Sequence, residues 1–87
     1  MKLRVVRITF SPRYYKPGIH ASLERTILRQ LLAYGSLSAA IADGWMQEVR
    51  SAGGSKPARR FAVYLTDKKF YHDIPVYFSL EVDGQLL

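Results

Sequence analysis

The chain has 87 residues, no cysteine, a hydrophobic fraction of 48% and a net charge of +6. That length makes one domain, residues 1–87, with a modest core. The absence of cysteine excludes a disulfide framework and any thiolate metal site. One tryptophan, six tyrosines and four phenylalanines argue for a folded chain rather than a disordered one.

The charge is unevenly placed. Residues 1–30 hold seven basic side chains (Lys2, Arg4, Arg7, Arg13, Lys16, Arg25, Arg29) against one acid, Glu24, while residues 31–87 hold six of each sign. An excess concentrated in the first third favours a polyanionic partner such as a nucleic acid or a nucleoprotein complex. Solubility alone is the plain alternative. No apolar run approaches the roughly 18–20 residues of a membrane-spanning helix. The first ten residues, MKLRVVRITF, carry interspersed arginines and no uninterrupted apolar stretch, so they do not read as a secretory signal. The expected location is the cytoplasm.

Residues 3–10, LRVVRITF, predict a strand. Leu3 and Val5 share one phase; Val6, Ile8 and Phe10 share the other. The slip at Val5–Val6 predicts either a bulge or an interior strand covered on both faces at its middle, and the density of Val and Ile favours a place inside the sheet over its edge. Residues 11–18, SPRYYKPG, form a loop. Arg13 and Lys16 there flank Tyr14 and Tyr15. Cations neutralise phosphates and rings offer stacking faces, so this composition suits a nucleic-acid contact. Its structural alternative is one tyrosine lidding the core and the other facing solvent.

Leu23, Ile27, Leu31 and Tyr34 recur at helical spacing after a cap at Ser22, or earlier at Gly18 or His20. Gly35 ends that helix. Arg25 and Arg29 lie four apart on its polar face and gain from an anion. A second helix is predicted from Ser36 or Ser38 to Ala52, on the stripe Leu37, Ala40, Ile41, Gly44, Trp45, Val49 and Ala52. Gly44 costs about 1 kcal/mol within it and can mark a break. Residues 53–60, GGSKPARR, predict a basic loop with Lys56, Arg59 and Arg60 as phosphate contacts.

Phe61, Val63 and Leu65 alternate with Ala62, Tyr64 and Thr66, predicting a strand. Residues 74–82, IPVYFSLEV, alternate over five apolar positions and give the clearest strand signal of the chain. The polar turn between them implies an antiparallel hairpin. Asp83-Gly84 is a turn signal, followed either by a short returning strand or by a frayed tail. The predicted fold is α+β in the order β-α-α-β-β, a small twisted and mainly antiparallel sheet with the helical hairpin on one face.

His20 and His72 supply too few ligands for a metal centre, and no cofactor is expected. Lys68, Lys69, Tyr71, His72 and Asp73 cluster between the last two strands. A base, an acid and phosphate-binding cations are the kit of a metal-free ribonuclease. ITFSP near the start and VYFSLEVDGQLL at the end, with the element order, small size and basic charge, resemble RelE/ParE-type toxins. That resemblance implies ribonuclease activity. Members usually continue through a further strand bearing basic or aromatic active residues.

Three functional expectations follow. The first is a non-enzymatic module binding nucleic acid or nucleoprotein through Arg13, Tyr14, Tyr15, Lys16, Arg25, Arg29, Lys56, Arg59 and Arg60. The second is a protein-interaction module, an accessory or inhibitor, pairing with a partner or with its own copy at the sheet edge near Gln85-Leu86-Leu87. The third is the metal-free ribonuclease.

Overall fold

The computed structural model describes residues 2–50, 59–67 and 72–87. Strand β1 spans Leu3–Thr9, and a 3₁₀ turn at Pro12–Tyr14 follows it. Helices α1 (Ile19–Tyr34) and α2 (Leu37–Ala42) come next, then β2 (Met46–Arg50), β3 (Arg59–Asp67), β4 (His72–Val82) and β5 (Gln85–Leu86). The α+β class and the helical pair on a small antiparallel sheet are as expected. Two strands, β2 and β5, add to the expected order.

The sheet runs β1-β4-β3-β2, every pair is antiparallel, and β5 pairs with the end of β4. The long apolar alternation of β4 places it at the centre. Phe78 lies opposite Phe61, Val76 opposite Val63 and Leu80 opposite Val5. All six are buried on one face, with Met46 of β2 beside Val63 and with Ile27 and Leu31 of α1 and Ala40 of α2 packed over the sheet. The Phe61 and Phe78 rings stack with centroids 6.0 Å apart. A buried aromatic pair of this kind contributes about 0.5–1.5 kcal/mol beyond its burial. The helices therefore cover one face, the inner one. Along β3 and β4 the alternate residues Arg60, Ala62, Tyr64, Pro75, Tyr77 and Ser79 fall on the other, outer face.

The predicted second helix stops early. Ser36 caps α2, accepting a hydrogen bond on its hydroxyl from the Ala39 N–H at 3.1 Å, but the helix ends at Ala42. Gly44 adopts φ +82°, a left-handed conformation that a helix interior does not contain. The chain then pairs with β3, putting Met46 opposite Val63 and Glu48 opposite Phe61. The helical spacing of Trp45 and Val49 is real in the sequence. Strand pairing wins because it satisfies the backbone of β3 and buries Met46 completely. Trp45 is half-buried, its ring 5.7 Å from that of Tyr34.

Strand β1 is an edge strand, not an interior one: among the described strands it pairs with β4 alone. Its apolar richness reflects a bulge. The register shifts between Val6 and Thr9, and Arg7 takes φ +52°. Of the two alternatives for the phase slip the structure takes the bulge, slightly later than Val5–Val6. It resets the phase, so that Ile8 and Phe10 join Leu3 and Val5 against the core while Thr9 lies opposite Tyr77 on the outer face.

Helix α1 begins at Ile19 after Gly18, the earlier of the alternatives to Ser22. Gly35, at φ +83°, closes it with its N–H on the Leu31 carbonyl oxygen at 3.1 Å. Asp83 and Gly84, at φ +52° and +81°, have the two positive angles of a tight hairpin turn into β5. The C-terminal residues therefore return along the sheet, and the Leu87 N–H reaches the Leu80 carbonyl oxygen at 2.9 Å. No helix of the described residues is long and apolar enough to cross a membrane.

Candidate nucleic-acid interface

The segment between β1 and α1 is a built turn. Pro12 starts the 3₁₀ turn, where its missing N–H is no loss. The N–H groups of Tyr14 and Tyr15 donate to the carbonyl oxygens of Ser11 and Pro12, each at 3.1 Å. Gly18, at φ +78°, turns the chain into α1. Tyr14 is half-buried and the Arg13 guanidinium stands 6.0 Å from its ring centroid. Tyr15 is 63% exposed. Of the adjacent tyrosines one is thus half-buried and the other open. Arg13 and Lys16 are both exposed.

Beside this turn is a groove of about 290 Å³ lined by Ile8, Thr9, Phe10, Pro12, Tyr15 and His20. The rings of Phe10 and His20 meet at 5.4 Å with an interplanar angle of 56°. Arg13 and Lys16 are chain neighbours of its Pro12 and Tyr15. An aromatic, half-open groove next to two cations has the chemistry to hold a planar anionic ligand.

The other expected contacts are dispersed by the fold. Arg25 and Arg29 are exposed on α1, on the side away from Ile27 and Leu31, and so away from the sheet. Arg59 and Arg60 are adjacent in β3, and strand alternation sends them to opposite faces. Arg59 lies on the inner side. Its guanidinium pairs with Glu48 at 2.7 Å and stands 5.3 Å from the Phe61 ring centroid. The hydrogen bond to Glu48 raises its pKa further above the ordinary arginine value. Lys56 and residues 53–58 of the predicted loop lie outside the described residues, as do Lys68, Lys69 and Tyr71 and the side chains of His72 and Asp73.

Arg60 is on the outer face and is engaged there. Its Nη1 donates to the Arg7 carbonyl oxygen at 2.8 Å and to Ser79 Oγ at 3.2 Å. Its Nη2 donates to Thr9 Oγ1 at 3.0 Å. Ser79 is completely buried, so this bond satisfies a hydroxyl that water does not reach. Arg60 thus braces β1 against β3 across β4.

A second concavity, about 400 Å³, is walled by Leu3, Leu31, Leu37, Val82 and Leu87, with Arg59 at its polar side. It is apolar and lies on the helix side of the sheet, apart from the Arg13–Lys16 turn. Among the described residues no group of three His, Asp or Glu side chains is placed to hold a metal ion.

Sequence reasoning did not single out Thr9, Tyr64 and Tyr77. Thr9 lines the groove and also meets Arg60. Tyr64 and Tyr77 stand 53% and 38% exposed on the outer face. Their strand phases were readable, but the β3–β4 register that brings them together was not.

Comparison with protein-family models, with curated proteins and with solved structures returns no match for this chain.

Proposed function

We propose that this chain is a non-enzymatic binding module for nucleic acid, with its primary phosphate contact at the turn between β1 and α1. The observation that carries this reading is the exposed Tyr15 ring on an aromatic groove, flanked in the chain by the exposed cations Arg13 and Lys16. Phosphates would meet Arg13 and Lys16, and a base would enter against Tyr15 and His20. The net charge of +6 supplies attraction at longer range. Arg25 and Arg29 contribute to that field from the far side of α1, while Arg60 braces the sheet and Arg59 pairs with Glu48. The half-dispersed cations favour a compact contact at the turn over a broad basic surface.

The test is binding of labelled DNA and RNA oligonucleotides by fluorescence anisotropy across a salt series. Affinity is expected to fall linearly with salt on logarithmic axes, as counterion release requires. No binding to any oligonucleotide at about 50 mM salt rejects the reading, and copurification with one host protein would favour a protein partner. Cleavage of the RNA by the purified chain would instead establish the ribonuclease reading.

A further inference from the structure

The geometry points to a second element of the same interface: the outer face of the sheet, which neither described helix covers, is a stacking platform for an unpaired strand, with Tyr64 and Tyr77 as its rings. This rests on the nucleic-acid reading above and extends it to a substrate class, single-stranded rather than duplex nucleic acid.

The platform is defined by register. Tyr77 of β4 lies opposite Ala62 of β3, and Pro75 of β4 lies opposite Tyr64 of β3. These four residues make a tile with the two rings on one diagonal. The small alanine and the flat proline occupy the other. Diagonal cross-strand neighbours stand about 7–8 Å apart, so neither ring has to share its base. Ala62 is buried beneath them, whereas Tyr64 and Tyr77 are 53% and 38% exposed. Neither helix covers this face, because α1 and α2 pack against the opposite one.

Continuity comes from Thr9. It lies directly opposite Tyr77 on β4, and it also lines the groove with Tyr15. The bulge at Arg7 brings it there, and Arg60 Nη2 holds its hydroxyl at 3.0 Å. A path therefore runs from Tyr15 past Thr9 to Tyr77 and on to Tyr64, crossing the β1 edge onto the open face. Cations stand at its start, Arg13 and Lys16, and the exposed Arg7 stands at the bulge. Among the described side chains the acid on this face is Glu81, opposite Arg4 and on the far side of Ser79 from the two rings. Positive charge at the head of a row of exposed rings suits a polyanion whose bases are free to stack. A duplex keeps its base faces inside the helix and cannot use such rings.

The experiment uses the whole chain with labelled oligothymidylate, oligouridylate and a duplex of mixed sequence. Single strands are expected to bind more tightly than the duplex. The combined Tyr64→Ala and Tyr77→Ala variant is expected to lose about 5- to 150-fold in single-strand affinity for each stacked base forfeited. Its salt slope should stay unchanged, because no cation is removed. Tyr64→Phe with Tyr77→Phe keeps the rings and should bind as the parent does. In the unmodified chain, the ring protons of both tyrosines should shift upfield as oligothymidylate is added, which holds even if the alanine variant does not fold. Undiminished binding by a folded alanine variant, or ring protons that do not move, overturns the platform while leaving the turn contact standing. Absence of binding to every oligonucleotide removes both.

Discussion

The Arg60 guanidinium on β3 donates a 2.8 Å hydrogen bond to the main-chain carbonyl oxygen of Arg7 on β1, reaching across β4 to do so. One cation of the chain thus braces the backbone of another. The contact stands at the point where β1 adopts a left-handed angle without a glycine, a conformation that costs a non-glycine residue about 1–2 kcal/mol. The same guanidinium serves the buried Ser79 hydroxyl.

Arg60→Ala is expected to destabilise the fold by about 1–3 kcal/mol, because it leaves a buried hydroxyl and a bulge carbonyl without their donor. Arg60→Lys should recover only part of that, since an ammonium lacks the planar fork that reaches several acceptors at once. Urea unfolding measures both. A loss under about 0.5 kcal/mol, the range of ordinary surface changes, would show that the bulge stands without this brace.

Gly44→Ala distinguishes a long second helix from the observed break by its sign. In a continuous helix the change would stabilise by about 0.8–1.0 kcal/mol. At φ +82°, with open space around the added methyl, it should instead destabilise by about 1–2 kcal/mol. Thermal or urea unfolding gives the sign directly.

The Tyr34 hydroxyl donates a hydrogen bond to Asp43 Oδ2, which ties the end of α1 to the end of α2. That bond, then burial and the carboxylate charge, raise the Tyr34 pKa above its ordinary value. Folding therefore favours the protonated phenol. The stabilisation is fully present below the unfolded tyrosine pKa of about 10 and is lost as pH rises through the higher folded value. Asp43→Asn should lower the Tyr34 pKa toward normal, read from its ring-carbon shifts. The stability gap between parent and variant should narrow in strong alkali. A Tyr34 titration unaffected by the substitution would remove the carboxylate as the cause.

Two paired substitutions rank the cations. Arg13→Ala with Lys16→Ala should reduce the salt slope by about 1.4–1.8, the value for two lost phosphate contacts at 0.7–0.9 each. Arg25→Ala with Arg29→Ala should lower affinity less and leave the slope nearly intact, because these side chains face away from the sheet. Equal effects of the two pairs would move the principal contact onto the outer side of α1.

Much of the fold is local and was readable as such. The alternation of Ile74, Val76, Phe78, Leu80 and Val82 is the inner phase of β4. Gly35 stands where α1 needs a left-handed residue, and Asp83-Gly84 makes the turn its residue types imply. The groove was half readable, since the tyrosines and cations of residues 11–18 were visible while Phe10, Thr9 and His20 joined them only through folding.

Sequence alone determined the elements whose periodicity and punctuation agree: α1, β3, β4 and the basic character of the first third. Tertiary structure decided the rest. Trp45 and Val49 fit a helical stripe, yet residues 46–50 pair with β3 because that pairing satisfies backbone groups and buries Met46. Arg59 and Arg60 look equivalent in sequence, and strand alternation gives one to Glu48 and the other to Arg7, Thr9 and Ser79. Tyr64 and Tyr77 acquire a shared face only through the β3–β4 register. The physical reason is common to all three. A residue's phase within its own strand is a local property, whereas what it meets depends on which backbone pairs with which, and that is settled by burial across the whole sheet.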